Sequence, residues 1–198
     1  PMILVTPVLI GLLVPTVTLD STTVSAKGYH FPLAAGSTGT VSEDGTRVQY
    51  LKPDTSLYFT STAYDKEMRK EMKKYKGSGD LTITTDNYME IMELIYLYPD
   101  EFSGRNITYT GFVYNEPGHD GYQFLFRFGI IHCIADSGVY GLLTTGNATS
   151  YPNNTWITAT GTISLEYDKT LEQNLPVLHI SKIKETDAPD NPYVYRVF

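Results

Sequence analysis

The spacing of apolar and polar residues changes character three times along this chain. An uncharged apolar run, Met2-Ile-Leu-Val-Thr-Pro-Val-Leu-Ile-Gly-Leu-Leu-Val14, comes first. At about 1.5 Å per residue it is too short to cross a hydrocarbon core roughly 30 Å thick. No basic segment precedes it and it has no A-x-A-like cleavage site, so it is a poor signal peptide. Two readings stay open, a buried first element or the outer end of a membrane helix. The expectation is the second, with residues 1–15 as the remnant of a transmembrane span. Residues 16–60, rich in Ser, Thr and Gly, read as a tether with room for one short strand within 48–60.

Helical periodicity takes over across 61–104. Tyr64, Met68, Met72 and Tyr75 recur at helical spacing, with Asp65 as the predicted N-cap and Gly77 at the far end. The other faces carry Lys66, Arg69, Lys70, Lys73, Lys74 and Lys76. Such a face suits anionic lipid headgroups or an acidic partner. The plainer reading, which is the expectation, is a solvated face with Glu67 and Glu71 paired to Lys70 and Lys74. A second helix is predicted from Thr85 or Asp86 as cap to Pro99 as stop. Its broad apolar face (Tyr88-Met89, Ile91-Met92, Leu94-Ile95) is expected to pack on the C-terminal barrel.

From Asn106 the period becomes two. Ile107–Tyr114, Tyr122–Ala135, Gly138–Thr144, Thr155–Ser164 and Pro176–Lys184 read as strands, with a turn cluster at 115–121 and a longer polar connection at 147–154. Five strands with a long connection between the third and fourth match a partly open Greek-key barrel of OB type. The predicted fold class is therefore mostly β with two or more helices (α+β), with an OB-like five-stranded barrel over 105–198 that includes a turn-rich tail. Gly111 and Gly161 are expected at bends. Ile157, Ala159, Ile163, Leu178 and Ile180 are expected inside.

Charge narrows the partners. With 15 basic and 22 acidic residues the formal charge is −7, which repels a polyanion and argues against nucleic acid. One cysteine excludes an internal disulfide framework and any CxxC zinc site. No GxSxG, HExxH or Walker loop is present, so no enzyme is expected. Glu90 and Glu93 share a helix face at i, i+3, a common arrangement on solvated helices. Asn106-Ile-Thr, Asn147-Ala-Thr and Asn153-Asn-Thr are glycosylation sequons that chance explains in a Thr-rich chain.

His132, Cys133 and Asp136 form the one cluster of soft and borderline metal ligands, and zinc is the ion they would suit. In a regular strand His132 and Cys133 point to opposite faces, so a site needs a bulge or a distant histidine. Cys133 in an apolar strand is more often a small core residue, and packing is the expectation. Tyr122, Phe124, Phe126 and Phe128 make an aromatic row that could stack bases. With Arg127 as its one basic neighbour, aimed at the other face, core packing is expected there too.

Several stretches together resemble the YcgQ-like family of predicted membrane proteins of Gram-positive bacteria. They are Leu12-Leu-Val-Pro-Thr-Val-Thr-Leu19, Tyr98-Pro-Asp-Glu-Phe-Ser-Gly104, Ile107-Thr-Tyr-Thr-Gly-Phe-Val113, Arg127-Phe-Gly-Ile-Ile-His-Cys-Ile-Ala-Asp136, Trp156-Ile-Thr-Ala-Thr-Gly-Thr162, and Lys182-Ile-Lys-Glu through Asp190-Asn-Pro-Tyr-Val-Tyr195. The family is uncharacterised and described as permease subunits encoded beside a predicted permease. The resemblance implies a bilayer anchor through the N-terminal helix, an extracytoplasmic C-terminal domain at the cell membrane, a permease partner and transport. Some relatives carry a His-rich loop in the part that precedes this chain, which implies a link to metal homeostasis. Where relatives have adjacent cysteines before Ala-Asp, this chain has His132-Cys133. The leading expectation is an extracytoplasmic binding domain serving a permease. The alternative is an OB-type module for oligosaccharide or single-stranded nucleic acid.

Overall fold

The computed structural model describes residues 18–27, 61–77, 79–117, 121–131, 137–146, 150–169 and 173–196. The apolar run at 2–14 and the strand expected within 48–60 lie outside them. Among the described residues the helices are α1 (Ser21–Lys27), α2 (Ser61–Met72, tightening into a 3-10 turn at Lys73–Tyr75), α3 (Tyr88–Leu97) and α4 (Pro99–Phe102). The strands are β1 (Leu81–Thr82), β2 (Asn106–Tyr114), β3 (Gln123–Ile130), β4 (Ser137–Thr145), β5 (Trp156–Asp168), β6 (Gln173–Glu185) and β7 (Tyr193–Tyr195). No helix among them is long and apolar enough to cross a membrane.

Five strands are paired in a circuit. β2 pairs antiparallel with both β5 and β3, β3 antiparallel with β4, β4 parallel with β6, and β6 antiparallel with β5. Threonine hydroxyls bridge β2 and β5 on the outer face, at Thr108–Thr160 (2.8 Å) and Thr110–Thr158 (2.7 Å). Inside, the alternation buries Ile157, Ala159, Ile163 and Leu178, while Ile180 is half-buried. Gly161 stands at the register shift between β5 and β6, where a Cβ would come within 2.2 Å of the His179 carbonyl oxygen. The short edge strands β1 and β7 add parallel pairings to β2 and β3.

Three boundaries differ from the sequence expectation. Helix α2 begins at Ser61, so Asp65 is a helical residue and not the cap. In α3 the cap is Asn87, whose carbonyl accepts the Ile91 N–H at 3.0 Å. Its side chain turns back to accept the Thr84 N–H at 2.7 Å, while the Thr85 hydroxyl is taken by Arg127. The start of the expected tether is also part of the fold. Leu19 N–H donates to the Tyr193 hydroxyl (3.2 Å), Ser21 N–H donates to Asn154 Oδ1 (2.8 Å), and Val24 is buried.

Helix α3 packs where β3 and β4 approach most closely. A Cβ at Gly141 would lie 1.9 Å from the Leu125 carbonyl oxygen, so only glycine fits there. Leu125 and Leu142 face each other across the two strands, and the buried Tyr109 hydroxyl stands between their backbone groups. It accepts the Leu142 N–H (3.2 Å) and donates to the Leu125 carbonyl (3.2 Å). From α3, Tyr88 donates to the Tyr140 carbonyl (3.0 Å) and Tyr96 to the Gly141 carbonyl (2.7 Å). Burial drives the Tyr88 and Tyr109 hydroxyls far above the usual phenol range, so both stay protonated. Tyr109→Phe leaves a buried N–H and a carbonyl without that partner, and urea denaturation is expected to show a loss of about 1–3 kcal/mol. Tyr88→Phe strips a single carbonyl acceptor and is expected to cost less; equal stability of Tyr109→Phe and the parent would refute this account.

Candidate functional site

The residues singled out for metal ligation, His132, Cys133 and Asp136, lie outside the described residues, as do His30 and His119. The connection that holds the three joins the paired ends Ile130 and Ser137 of β3 and β4. β7 lies against that end, with Phe128, Gly129 and Ile130 registered on Tyr193, Val194 and Tyr195. Among the described residues no group of three or more His, Cys, Asp or Glu could hold a metal ion. His179 lies on β6. It pairs in register with Thr145, at the opposite end of β4 from Ser137, roughly 26 Å along the strand.

The chemistry concentrated beside this connection is that of one buried cation. Alternation along β3 puts Phe124, Phe126 and Phe128 on one face and Leu125 and Arg127 on the other. Arg127 is 3% exposed, and its guanidinium is held by the chain on several sides. Nε donates to the Pro192 carbonyl (3.3 Å), Nη1 to the Thr85 hydroxyl (2.9 Å), and Nη2 to the Asn191 (2.9 Å) and Tyr193 (3.4 Å) carbonyls. The rings of Tyr88 and Trp156 lie 5.5 and 5.8 Å from its central carbon. Burial pulls its pKa below the usual guanidinium value. Arg196, only partly exposed, forms a bidentate pair with Glu93 of α3 at 3.0 and 2.8 Å, both side chains about one-tenth exposed. The two arginines fasten the C-terminal tail to β3 and α3. Sequence reasoning gave the tail no structural role, and the signal that marked it was a lone arginine inside an apolar strand.

Two further groups test whether a catalytic or stacking site exists. On β5 and β6, Ser164 Oγ lies 2.7 Å from His179 Nε2, and Glu166 Oε1 contacts that same nitrogen and accepts from Ser164 at 2.6 Å. A nucleophile relay needs the hydroxyl and the carboxylate on opposite ring nitrogens, so this cluster is a surface hydrogen-bond triangle. The aromatic row is core. Phe124, Phe126 and Phe128 are buried, Phe124 stacks on Phe126 (5.1 Å) and Phe112 on Phe128 (5.4 Å), and Tyr114 sits beside them with its hydroxyl 3.3 Å from Ser25 of α1. Glu90 and Glu93 serve different partners, Lys74 with Tyr75 and Arg196 respectively.

Fold and site together define the class: a mixed α and β domain with a filled interior, whose described residues assemble no nucleophile relay and no metal set. The chain belongs to the DUF1980 family, whose C-terminal domain matches residues 58–196 and whose N-terminal domain matches residues 1–30. It is 71% identical over 199 residues to a Streptococcus mutans protein named "Putative two-component membrane permease complex subunit", a match spanning 100% of this chain and 73% of that protein. It is 39% identical over 194 residues to the UPF0703 protein YcgQ of Bacillus subtilis, spanning 97% of this chain and 66% of that protein. Among solved structures, asparaginyl-tRNA synthetase from Pyrococcus horikoshii aligns with a TM-score of 0.27 and 16% identity, over 46% of this chain and 23% of that one. A likeness that slight carries no argument.

Arg127→Met keeps much of the side-chain length but removes every donor. It is expected to cost about 2–4 kcal/mol and to speed amide exchange at Tyr193–Tyr195. Zinc titration of the parent chain against His132→Ala and Cys133→Ser is expected to give three superimposable curves, as packing roles require. Micromolar or tighter binding lost in either variant would establish them as ligands.

Proposed function

We propose that this chain is the extracytoplasmic interaction domain of a membrane-anchored subunit that works with a permease. The observation that carries the reading is the 71% identity, across the whole chain, to a protein named for a two-component membrane permease complex. The match of residues 1–30 to a separate N-terminal family domain supports an anchor ahead of the barrel. The strand circuit is read as an OB-type barrel. Its order, β2-β3-β4-β6-β5 and back to β2, has the third and fifth barrel strands parallel and the rest antiparallel. The barrel acts through its surface, because Tyr109, Leu125, Leu142 and Ile163 fill the interior.

The chain is read as a non-enzymatic component. The oligosaccharide or single-strand reading needs an open aromatic face, and here that face is buried beside α1. The reading of a role in metal homeostasis rests on His132, Cys133 and Asp136, and the zinc titration above tests it. Co-expression of the tagged full-length subunit with its permease, then detergent extraction and affinity purification, is expected to retain the permease at a fixed stoichiometry. Protease added to intact cells is expected to cut the C-terminal domain. A subunit that elutes alone, or a domain protected until the cells are lysed, would defeat the corresponding part of the reading.

A further inference from the structure

Helix α2 turns one face to the core and leaves an uneven set of charges on the others. Met68 and Met72 are buried, and Arg105 donates to the carbonyls of Tyr75 (2.6 Å) and Gly79 (3.2 Å), so the helix and the turn that closes it are both held. Residues 66–76 carry six cations and two carboxylates, a local charge of +4 in a chain whose total is −7. Both carboxylates are taken. Glu67 pairs with Lys70 (3.0 Å) and Glu71 with Lys74, which also lies 3.5 Å from Glu90. Lys66, Arg69, Lys73 and Lys76 are exposed and, among the described residues, pair with no carboxylate. Arg69 lies 5.9 Å from the Tyr98 ring. The first three recur at i, i+3 and i+7 and Lys76 continues the row, which makes one stripe about 15 Å long.

Like charges three and four residues apart destabilise a helix. The dipole at the C-terminal end favours Lys73 and Lys76, but Lys66 and Arg69 lie too early in α2 to gain from it. Nothing in the described fold offsets their repulsion, so the stripe calls for an anionic surface outside the chain. We propose that it is a docking surface for the headgroups of an acidic phospholipid bilayer, with α2 lying flat along the membrane. The proposal rests on the reading of the chain as membrane-anchored, which supplies the bilayer. Lipid suits the stripe better than an acidic protein segment does. Three of the four cations are lysines, point charges that need no fixed partner geometry and match a fluid layer of phosphates. Recognition of carboxylates favours the bidentate fork of arginine. The rest of the chain is net acidic and is repelled by the same surface, so the contact selects which side of the domain faces the membrane.

Sedimentation of the full chain with vesicles tests this, using phosphatidylcholine alone against an equal mixture with phosphatidylglycerol. At low ionic strength the chain is expected to favour the acidic vesicles, against the sign of its net charge, and to lose that preference when salt screens the surface. Any affinity of the apolar run at 2–14 for hydrocarbon is common to both vesicles and cancels in the ratio. Replacing Lys66 and Lys73 together by Gln keeps helix propensity and is expected to lower the preference about 25-fold, roughly fivefold for each charge. Lys182→Gln with Lys184→Gln, both exposed on β6, removes the same net charge elsewhere and is expected to stay close to the parent. Equal binding of the parent to the two vesicles, or an equal loss in the β6 variant, would overturn the lipid contact. So would a parent indifferent to acidic lipid whose co-purification with the permease weakens in Lys66→Gln/Lys73→Gln, because the stripe would then serve an acidic protein. The vesicle ratio involves no permease and no intact cell, so its failure is distinct from failure of the functional reading.

Discussion

Closing five strands into one circuit forces β3 and β4 together at Leu125 and Gly141, and the rest of the domain is arranged around that approach. The Leu125 oxygen leaves no room for a Cβ at position 141. The strands gain close packing there, but the Leu142 N–H is directed to the Tyr109 hydroxyl. A buried amide without a partner costs more than an ordinary hydrogen bond contributes. Tyr109 meets that demand from β2, on the opposite wall, and so joins three strands with one hydroxyl. Tyr88 and Tyr96 repeat the device from α3, which ties the helix in register to β4.

The same helix then organises the charges. Its first turn lays Tyr88 against Arg127, and its middle presents Glu93 to Arg196. Arg127 is buried and the Arg196 side chain is largely shielded, so each needs its donors satisfied or balanced. The partners for Arg127 are backbone carbonyls of residues 191–193, available only if the tail lies along β3 as β7. A buried cation thus converts a turn-rich C-terminus into a structural strand. That strand pairs with β3 at Phe128–Ile130, the end of β3 that leads into the connection to β4.

Helix α1, within the segment matched by the family's N-terminal domain, packs against the same body. Asn154, held at φ 69°, accepts from Ser21, and Tyr114 and Tyr193 meet Ser25 and Leu19. These contacts seat α1 on the strand circuit.

Much of this was legible in the residues alone. Period-two alternation identifies each of the five circuit strands, because one face of every strand must be buried whatever its neighbours. Helical spacing of Met68, Met72 and the Tyr88–Ile95 run identifies α2 and α3 for the same reason. Shared stretches such as Tyr98–Gly104 and Trp156–Thr162 identify the family. Other features depend on groups far apart in sequence. The Asn87 cap displaced Thr85 because a guanidinium from β3 claimed that hydroxyl. The contacts of Lys74 with both Glu71 and Glu90 join two helices that sequence treats separately. The placement of His179 at the end of β4 away from Ser137 comes from strand register. Local periodicity is set by short-range burial and could be read from the chain itself, whereas partners and register are decided only when the strands close.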